Sequence, residues 1–247
     1  MNAERALAVD VLSLFPNVFS GFVAESMLAR AIQCGILRVT SRSIREWTTD
    51  RHAVADDRPF GGGAGMVLKP EPIALALKDL KTSGTSTIYL CPDGELFSSE
   101  IARELAKSRH LILLCGHYEG VDERIREKYV DREISIGDYV LTNGILAAAV
   151  VIDAVARYVP GVLGAEQSLE QDSFSDGLLT FPQYTRPEIF DGSSVPEILL
   201  SGHHKKITQW RHEQRMLRTQ RRRPDLWKRF LSSAKSPSKS SVLDAQP

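Results

Sequence analysis

In the first half of the chain, short apolar runs typical of β-strands alternate with segments whose apolar residues have the spacing of a helix. The strands are predicted at residues 7–15, 37–44, 85–91, 110–115 and 130–136. The helices are predicted between them, at residues 20–34, 71–81, 98–107 and 122–128. This alternation is typical of an α/β domain built on a mostly parallel sheet.

Three loops that follow the later predicted strands contain glycine. They are residues 91–94 (CPDG), 116–120 (GHYEG) and 137–139 (GDY). In parallel α/β sheets, ligands bind at the carboxyl ends of the strands, where such loops meet. We therefore expect the three loops to converge on one pocket.

The stretch 134–164 contains two glycine-bearing turns, at residues 137–138 and 143–144, and then an apolar helix. The helix is predicted to end near Tyr158, because Pro-Gly follows at residues 160–161. Glycine and asparagine tolerate unusual backbone angles, and small side chains at the helix start let a backbone or a flat ligand approach closely.

Asp153 and Arg157 are spaced i,i+4 near the end of this apolar helix. One interpretation is a solvated ion pair on a core helix. The other is that the polar end of the helix belongs to a ligand site, because glycine-bearing loops precede it.

The net charge of zero conceals an asymmetry along the chain. Residues 201–231 contain ten Lys and Arg against two acidic residues, a net charge of +8. Residues 232–247 carry +1, so the first 200 residues must carry −9. This predicts a polyanionic partner such as nucleic acid, bound by the C-terminal part, although a solvated helix face is the simpler alternative.

The cysteine content predicts a cytoplasmic protein. Cys34, Cys91 and Cys115 form no C-x-x-C pair, and their odd number argues against a disulfide framework and a cysteine zinc site. The N-terminus has no signal-peptide pattern, and the longest uncharged apolar run, residues 145–152, is too short to span a membrane.

A long loop is predicted at residues 51–68, RHAVADDRPFGGGAGMVL. Its glycines could offer backbone N–H groups to a phosphate. The loop fails the P-loop pattern and also G-x-G-x-x-G, because Met66 stands at the last glycine position. A flexible lid and a binding loop both remain open.

Composition changes after Pro160. Residues 161–177 are polar and predict a linker or mobile loop. Helices are predicted at residues 203–222 and from Pro224 onward, and the Ser/Lys/Pro-rich residues 232–247 are predicted to be disordered. The domains expected are residues 1–160, a linker at 161–177, a helical domain at 178–231 and the tail 232–247.

Seven motifs occur in a fixed order along the chain. They are residues 57–66 (DRPFGGGAGM), 114–124 (LCGHYEGVDER), 135–141 (SIGDYVL), 160–164 (PGVLG), 172–174 (DSF), 184–187 (YTRP) and 199–202 (LLSG). In these motifs the chain resembles the bacterial tRNA (guanine-N1)-methyltransferases of the TrmD type, within the SPOUT class. The resemblance covers residues from about 9 to 225.

The resemblance implies a SPOUT-type parallel sheet with a deep trefoil knot and a small helical C-terminal domain. Residues 1–160 would bind S-adenosylmethionine in the knot, and residues 178–231 would bind tRNA. The family forms obligate homodimers, with active sites shared between subunits, and methylates guanine at tRNA position 37, beside the anticodon.

The same resemblance assigns roles to single residues. Asp172 matches the general base that removes the proton from guanine N1, and Arg157 matches the cation that stabilises charge at O6. Glu119 is expected near the sulfonium or ammonium group of the cofactor. The predicted cofactor-binding residues are Leu90, Pro92, Gly116, Glu119, Ile136, Gly137, Tyr139, Leu141 and Gly144. No metal ligand is assigned, although family members often depend on Mg²⁺.

Four positions depart from the commonest family pattern. Asn143, Ile145, Ala147 and His203 stand where Gly, Glu, Pro and Asn are usual. Asn143 is expected to keep the cofactor loop intact, because asparagine can adopt a left-handed turn. No role is assigned to Ile145.

Two other function classes are compatible with parts of the sequence. A nucleotide-dependent α/β enzyme would use the glycine-rich loop for phosphate, but the phosphate-binding patterns fail. A catalytically silent RNA-binding module would fit the basic C-terminal helices, but not the matching positions of Asp172 and Arg157.

Overall fold

The computed structural model describes residues 6–163, 169 and 171–234. The chain divides into two compact units, Met1–Gly164 and Ala165–Pro247. The strands of the first unit are β1 (Leu7–Ser13), β2 (Leu37–Ser43), β3 (Asp56–Asp57), β4 (Val67–Leu68), β5 (Thr85–Leu96), β6 (His110–Cys115) and β7 (Arg132–Ser135). Its helices are α1 (Ser20–Val23), α2 (Ser26–Gln33), α3 (Pro70–Leu80), α4 (Ser99–Leu105), α5 (Glu123–Tyr129) and α6 (Ile145–Ala156).

Five of these strands form one sheet in the order β2-β1-β6-β5-β7, and every neighbouring pair is parallel. The predicted α/β class and parallel sheet are confirmed. The short strands β3 and β4 pair antiparallel within the predicted long loop.

Alternate residues of the central strands enter two separate hydrophobic clusters, one on each face of the sheet. In β6, Leu111 and Leu113 belong to one cluster, and Ile112 and Leu114 belong to the other. Successive side chains of a strand point to opposite faces, so a strand covered on both sides must be apolar throughout. The first cluster includes one face of α6, whereas Leu146, Val150 and Asp153 lie on the exposed face of that helix.

A chain of polar side chains, of which Asp10 and His110 are buried, connects four strands of the sheet. The Asp10 carboxylate accepts a hydrogen bond from Arg42 Nε at 2.8 Å and lies 2.8 Å from His110 Nε2. His110 Nδ1 lies 2.9 Å from the Thr85 hydroxyl. Because each group has a partner, the cost of burying it is offset.

Two predicted elements are wrong in detail. The helix predicted at residues 20–34 is interrupted after Val23, because Ser26, the first residue of α2, adopts a φ of 59°. The strand predicted to end at Cys91 continues to Leu96, since β5 pairs with β7 again after a register shift between Leu90 and Glu95. The predicted loop 91–94 is therefore a bulged part of an edge-proximal strand.

The second unit contains β8 (Ile189–Phe190), β9 (Ser193–Ser194), α7 (Glu197–Leu200), α8 (His204–Arg222) and α9 (Pro224–Ala234). The tail predicted from residue 232 begins too early, because α9 continues to Ala234. Residues 235–247 lie outside the described part of the chain. No helix among the described residues is long and apolar enough to cross a membrane.

Candidate functional site

A cavity of about 280 Å³ opens at the carboxyl edge of the sheet, where β5, β6 and β7 end. The structure brings all nine predicted cofactor residues to its wall, and their role in binding remains a prediction. Further lining residues that the sequence did not single out include Tyr89, Cys91, His117, Tyr118 and Asn143. The loops 116–120 and 137–139 therefore meet at one pocket, as expected, and residues 91–94 contribute to it only through Cys91 and Pro92 of the bulged strand β5.

Glycine is required at the start of α6 by close packing. A Cβ on Gly144 would lie 2.9 Å from Cys115 Cα and 3.1 Å from Gly116 N. Gly144 itself has an ordinary φ of −76°, so its backbone angle does not demand glycine. The backbone angle of Gly137 does favour glycine, because its φ is 142°. A Cβ there would also lie 2.7 Å from the Tyr139 ring.

The loop after β6 and the turn before α6 are hydrogen-bonded to each other. Gly144 N donates to Gly116 O at 2.9 Å, and His117 and Asn143 form an isolated antiparallel bridge. The expected left-handed turn at Asn143 is absent from the described backbone. Its side chain instead caps α6, because Oδ1 accepts a hydrogen bond from Ile145 N at 3.0 Å. Ile145 is buried in the core.

Tyr89 forms the inner wall of the cavity beneath the GHYEG loop. Cβ atoms added at Gly116 and Gly120 would each lie 3.0 Å from its hydroxyl. Burial raises the pKa of Tyr89 to about 12. Tyr89 was missed because it lies inside an apolar strand run, where a tyrosine is an ordinary core residue.

The glycine-rich loop is attached to the cavity through Glu119. A Cβ on Gly65 would lie 2.4 Å from Glu119 Oε1, so the carboxylate passes close to that glycine. Glu119 N donates to Met66 O at 3.0 Å, and Leu68 N donates to Gly120 O at 2.9 Å. The far end of the loop is thus fixed to the GHYEG loop, which favours a binding loop over a free lid.

Arg126 connects the ends of β5 and β7 behind the cavity. It donates to Glu133 Oε1 at 2.8 Å and to Asp93 Oδ2 at 2.6 Å, and its guanidinium lies 5.4 Å from the Tyr89 ring centroid. Hydrogen bonds from Arg126 hold the pKa values of both carboxyls below their usual range. Burial, with Asp93 and Glu133 close by, raises the pKa of Cys91 to about 12.

Cys91, Asp93 and Glu133 place one potential metal-ligand atom each within 4.8 Å of one another. Mg²⁺ prefers oxygen ligands, and both carboxylates are already paired with Arg126. This cluster therefore gives no support for the Mg²⁺ dependence that the family resemblance leaves possible.

The two predicted catalytic residues lie in different units. Arg157 caps the C-terminus of α6 in the first unit, and Asp172 belongs to the second. Asp153 is exposed on α6. Whether it pairs with Arg157 or the two belong to a ligand site stays an open prediction.

Residues 172–180 form a closed loop, where a mobile linker was expected. Phe174 N donates to Leu178 O at 2.8 Å, and Thr180 N donates to the Ser173 hydroxyl at 3.0 Å. This part of the predicted linker is ordered by its own hydrogen bonds. Most of residues 164–170 lie outside the described part.

Helix α8 holds this loop through two side chains. Arg215 makes a bidentate ion pair with Asp176 and donates to Leu179 O at 3.2 Å. The buried Thr219 hydroxyl accepts from Leu179 N at 2.9 Å. Burial opposes the charge of Asp176, but Arg215 outweighs it and lowers the pKa of the carboxyl. The Asp172 loop is therefore part of the same unit as the basic helix.

Comparison with known proteins gives a match over nearly the whole chain. The family model described as tRNA (Guanine-1)-methyltransferase TrmD matches residues 7–229. Several curated relatives share more than half of their aligned residues with this chain. Each of the three described next is named "tRNA (guanine-N(1)-)-methyltransferase".

The relative from Staphylococcus carnosus is 54% identical over 225 residues, covering 91% of this chain and 92% of its own. The one from Chloroflexus aggregans is 57% identical over 220 residues, covering 88% and 86%. The one from Carboxydothermus hydrogenoformans is 55% identical over 222 residues, covering 90% and 88%.

Proposed function

The chain belongs to the tRNA (guanine-1)-methyltransferase family TrmD, and on that premise we propose that it transfers a methyl group from S-adenosylmethionine to N1 of guanine 37 in tRNA. The observation that carries the proposal is the convergence of the nine predicted cofactor residues on one cavity at the carboxyl edge of the sheet.

The cavity wall suits a cofactor with an adenine ring and a charged methionine part. Glycines at 116, 137 and 144 line the wall and have no side chain to cover their carbonyl and N–H groups. Glu119 supplies a carboxylate that would attract the sulfonium or ammonium group. When bound, the cofactor supplies an electrophilic methyl group.

The residues of this chain would prepare the guanine for attack. N1 carries a proton and becomes nucleophilic only when that proton leaves, and Asp172 would accept it. A carboxylate alone is a weak base toward this proton. Arg157 would stabilise the negative charge that develops at O6, which lowers the cost of the transfer.

The knot and the homodimer are part of the same proposal. The knot would form where hydrogen bonds join the GHYEG loop to the turn before α6. In the dimer, Asp172 of one subunit would serve the cavity of the other, so each active site would draw on two chains.

The direct test incubates the full chain with labelled S-adenosylmethionine and an unmodified tRNA transcript that contains guanine 37. We expect 1-methylguanosine in the digested product, and none from a matched transcript with adenine 37. Absence of product from both transcripts, with a properly folded protein, would refute the function.

The shared site is tested with two variants that fail for different reasons. Gly116→Trp fills the cavity, and Asp172→Ala removes the base, so each homodimer should be inactive. Unfolding and reassembling them together should restore part of the activity, because one site of a mixed dimer would be intact. Mixed dimers without activity would disprove sharing, whatever the outcome for the reaction itself.

A further inference from the structure

Two arginines on one face of α8 have different surroundings. Arg215 is engaged with Asp176 and Leu179. Arg211, one turn earlier, has a buried Nε with no hydrogen-bond partner among the described residues. Its guanidinium lies 4.8 Å from the centroid of the Phe181 ring. A buried donor without an acceptor is unfavourable, so the surroundings of Arg211 favour a ligand with an acceptor atom.

A cavity of about 210 Å³ lies beside Arg211. It is lined by Gln171, Phe181, Thr208, Arg211, His212 and Arg215. The lining contains hydrogen-bond donors and two guanidinium groups but no carboxylate. A larger cavity on α8, of about 430 Å³, also includes Arg211, but Glu188 contributes a carboxylate there. The smaller cavity is therefore the one suited to an anion.

We propose that this smaller cavity binds a phosphate group of the RNA substrate, with Arg211 as its principal contact. Arg215 is paired with Asp176, which leaves the Arg211 charge to be matched by the ligand. A guanidinium can bind two phosphate oxygens at once. The volume is smaller than the roughly 280 Å³ of the cofactor cavity in the first unit, and one phosphate group needs less room than a whole cofactor.

The surrounding charge identifies the phosphate as part of a polymer. Helix α8 carries seven Lys and Arg against one Glu. An extended positive surface of this kind is typical of contacts with a polyanion. The subsite rests on the proposed function, since it takes RNA as the substrate. It refines that function, because Gln171 directly precedes Asp172, and a phosphate held here would fix the RNA next to the base-bearing loop.

The test combines a protein variant with a change in the RNA. Arg211→Met keeps an apolar stem over Phe181 and removes the charge, and single methylphosphonates remove the charge of one RNA phosphate at a time. We expect Arg211→Met to weaken tRNA binding about ten-fold at moderate salt. The slope of log K against log salt should become shallower by about 0.7–0.9.

One methylphosphonate position should weaken binding to the wild type and have no further effect on Arg211→Met. Arg218→Met, on the same helix but outside the cavity lining, should remain sensitive at that position. Arg211→Lys should fall between wild type and Arg211→Met, because an ammonium group retains the charge and loses the bidentate geometry. It also provides the test if Arg211→Met does not fold.

The outcomes separate this subsite from the function on which it rests. If the wild type methylates tRNA but Arg211→Met binds it with unchanged affinity and salt slope, the subsite is refuted and the function stands. The same holds if every methylphosphonate affects wild type and variant equally. A wild type that binds tRNA and makes no 1-methylguanosine refutes the function alone.

Discussion

The cavity of the first unit and the Asp172 loop with helix α8 in the second unit depend on different kinds of interaction. The cavity is lined by loops whose glycines at 116, 137 and 144 have no room for a side chain. The Asp172 loop is joined to α8 by the partly exposed Arg215–Asp176 ion pair and by the buried Thr219 hydroxyl. The first region should therefore be sensitive to the size of a substituted side chain. The second should be sensitive to the loss of a charge or a hydrogen-bonding group.

The sharpest way to separate the two regions is Asp172→Asn. The amide keeps the shape of the side chain and cannot accept the N1 proton, so methyl transfer should fall by about 10²–10⁴-fold. Binding of S-adenosylmethionine should be unchanged, because the predicted cofactor residues all lie in the first unit. Single-turnover kinetics and equilibrium dialysis measure the two quantities. Asp191→Asn, an exposed change in the same unit, is the matched control; near-normal transfer by Asp172→Asn would exclude its role as base.

Adding a single methyl group at the cavity should weaken cofactor binding, which Asp172→Asn should leave unchanged. Gly144→Ala places a methyl group 2.9 Å from backbone, and overpacking of this kind costs about 1–3 kcal/mol. We expect a lower melting temperature and weaker binding of S-adenosylmethionine, with tRNA binding retained. Gly21→Ala is the control, because its Cβ would meet nothing within 4 Å. Equal behaviour of the two alanine variants would contradict the packing argument.

Arg215→Met tests whether α8 positions the loop that carries the proposed base, Asp172. Arg215 contacts Asp176 and Leu179, so its loss should loosen residues 172–180 and lower the single-turnover rate about ten-fold. The affinity for S-adenosylmethionine should not change. Exchanging the charges in Arg215→Asp/Asp176→Arg should recover part of the rate, which a general loss of stability would not allow. A single-turnover rate unchanged from wild type would show that the loop does not depend on this pair.

The smallest expected effect concerns stability and pH. Arg126→Met should lower the free energy of unfolding by about 1–2 kcal/mol, because it removes partly exposed hydrogen-bonded ion pairs. The folded-state pKa values of Asp93 and Glu133 are lowered, so their contribution is complete above about pH 4 and is lost as pH falls through the lowered values. The difference in unfolding free energy between variant and wild type should therefore shrink below about pH 4. Arg124→Met is the control, because the Arg124 guanidinium is more exposed than that of Arg126 and pairs with Asp122 alone among the described residues, so its loss should have a smaller effect.

The sheet and the residues around the cavity can be predicted from the sequence. The side-chain contacts of the second unit cannot. Strand β6 has the predicted bounds, because six consecutive apolar or weakly polar residues admit few alternatives. Glycine after each later strand indicates the pocket, because glycine is where a backbone can approach a ligand. The interruption at Ser26 could not be predicted, since nothing in residues 20–34 requires a positive φ at a serine.

The contacts of the second unit depend on pairings between residues far apart in sequence. Arg215 and Asp176 are separated by 39 residues, and a basic residue in a helix does not reveal its partner. The same holds for Arg126, whose partners lie on two strands. The polar composition of residues 161–177 indicates a loop, whereas its closure by Phe174 and Leu178 depends on backbone geometry that composition does not encode.

The strand order has a consequence for how the chain folds during synthesis. The central neighbour of β1 is β6, and Ala8 pairs with His110. At about 5–20 residues per second, β1 leaves the ribosome roughly 5–20 s before its partner. The edge of β1 that pairs with β6 therefore lacks its partner for that time, and unpaired apolar edges promote aggregation. Limited proteolysis of ribosome-stalled chains of increasing length tests this. Chains that end before His110 should be protease-sensitive, and protection should appear only in chains long enough for β6 and β7 to have emerged.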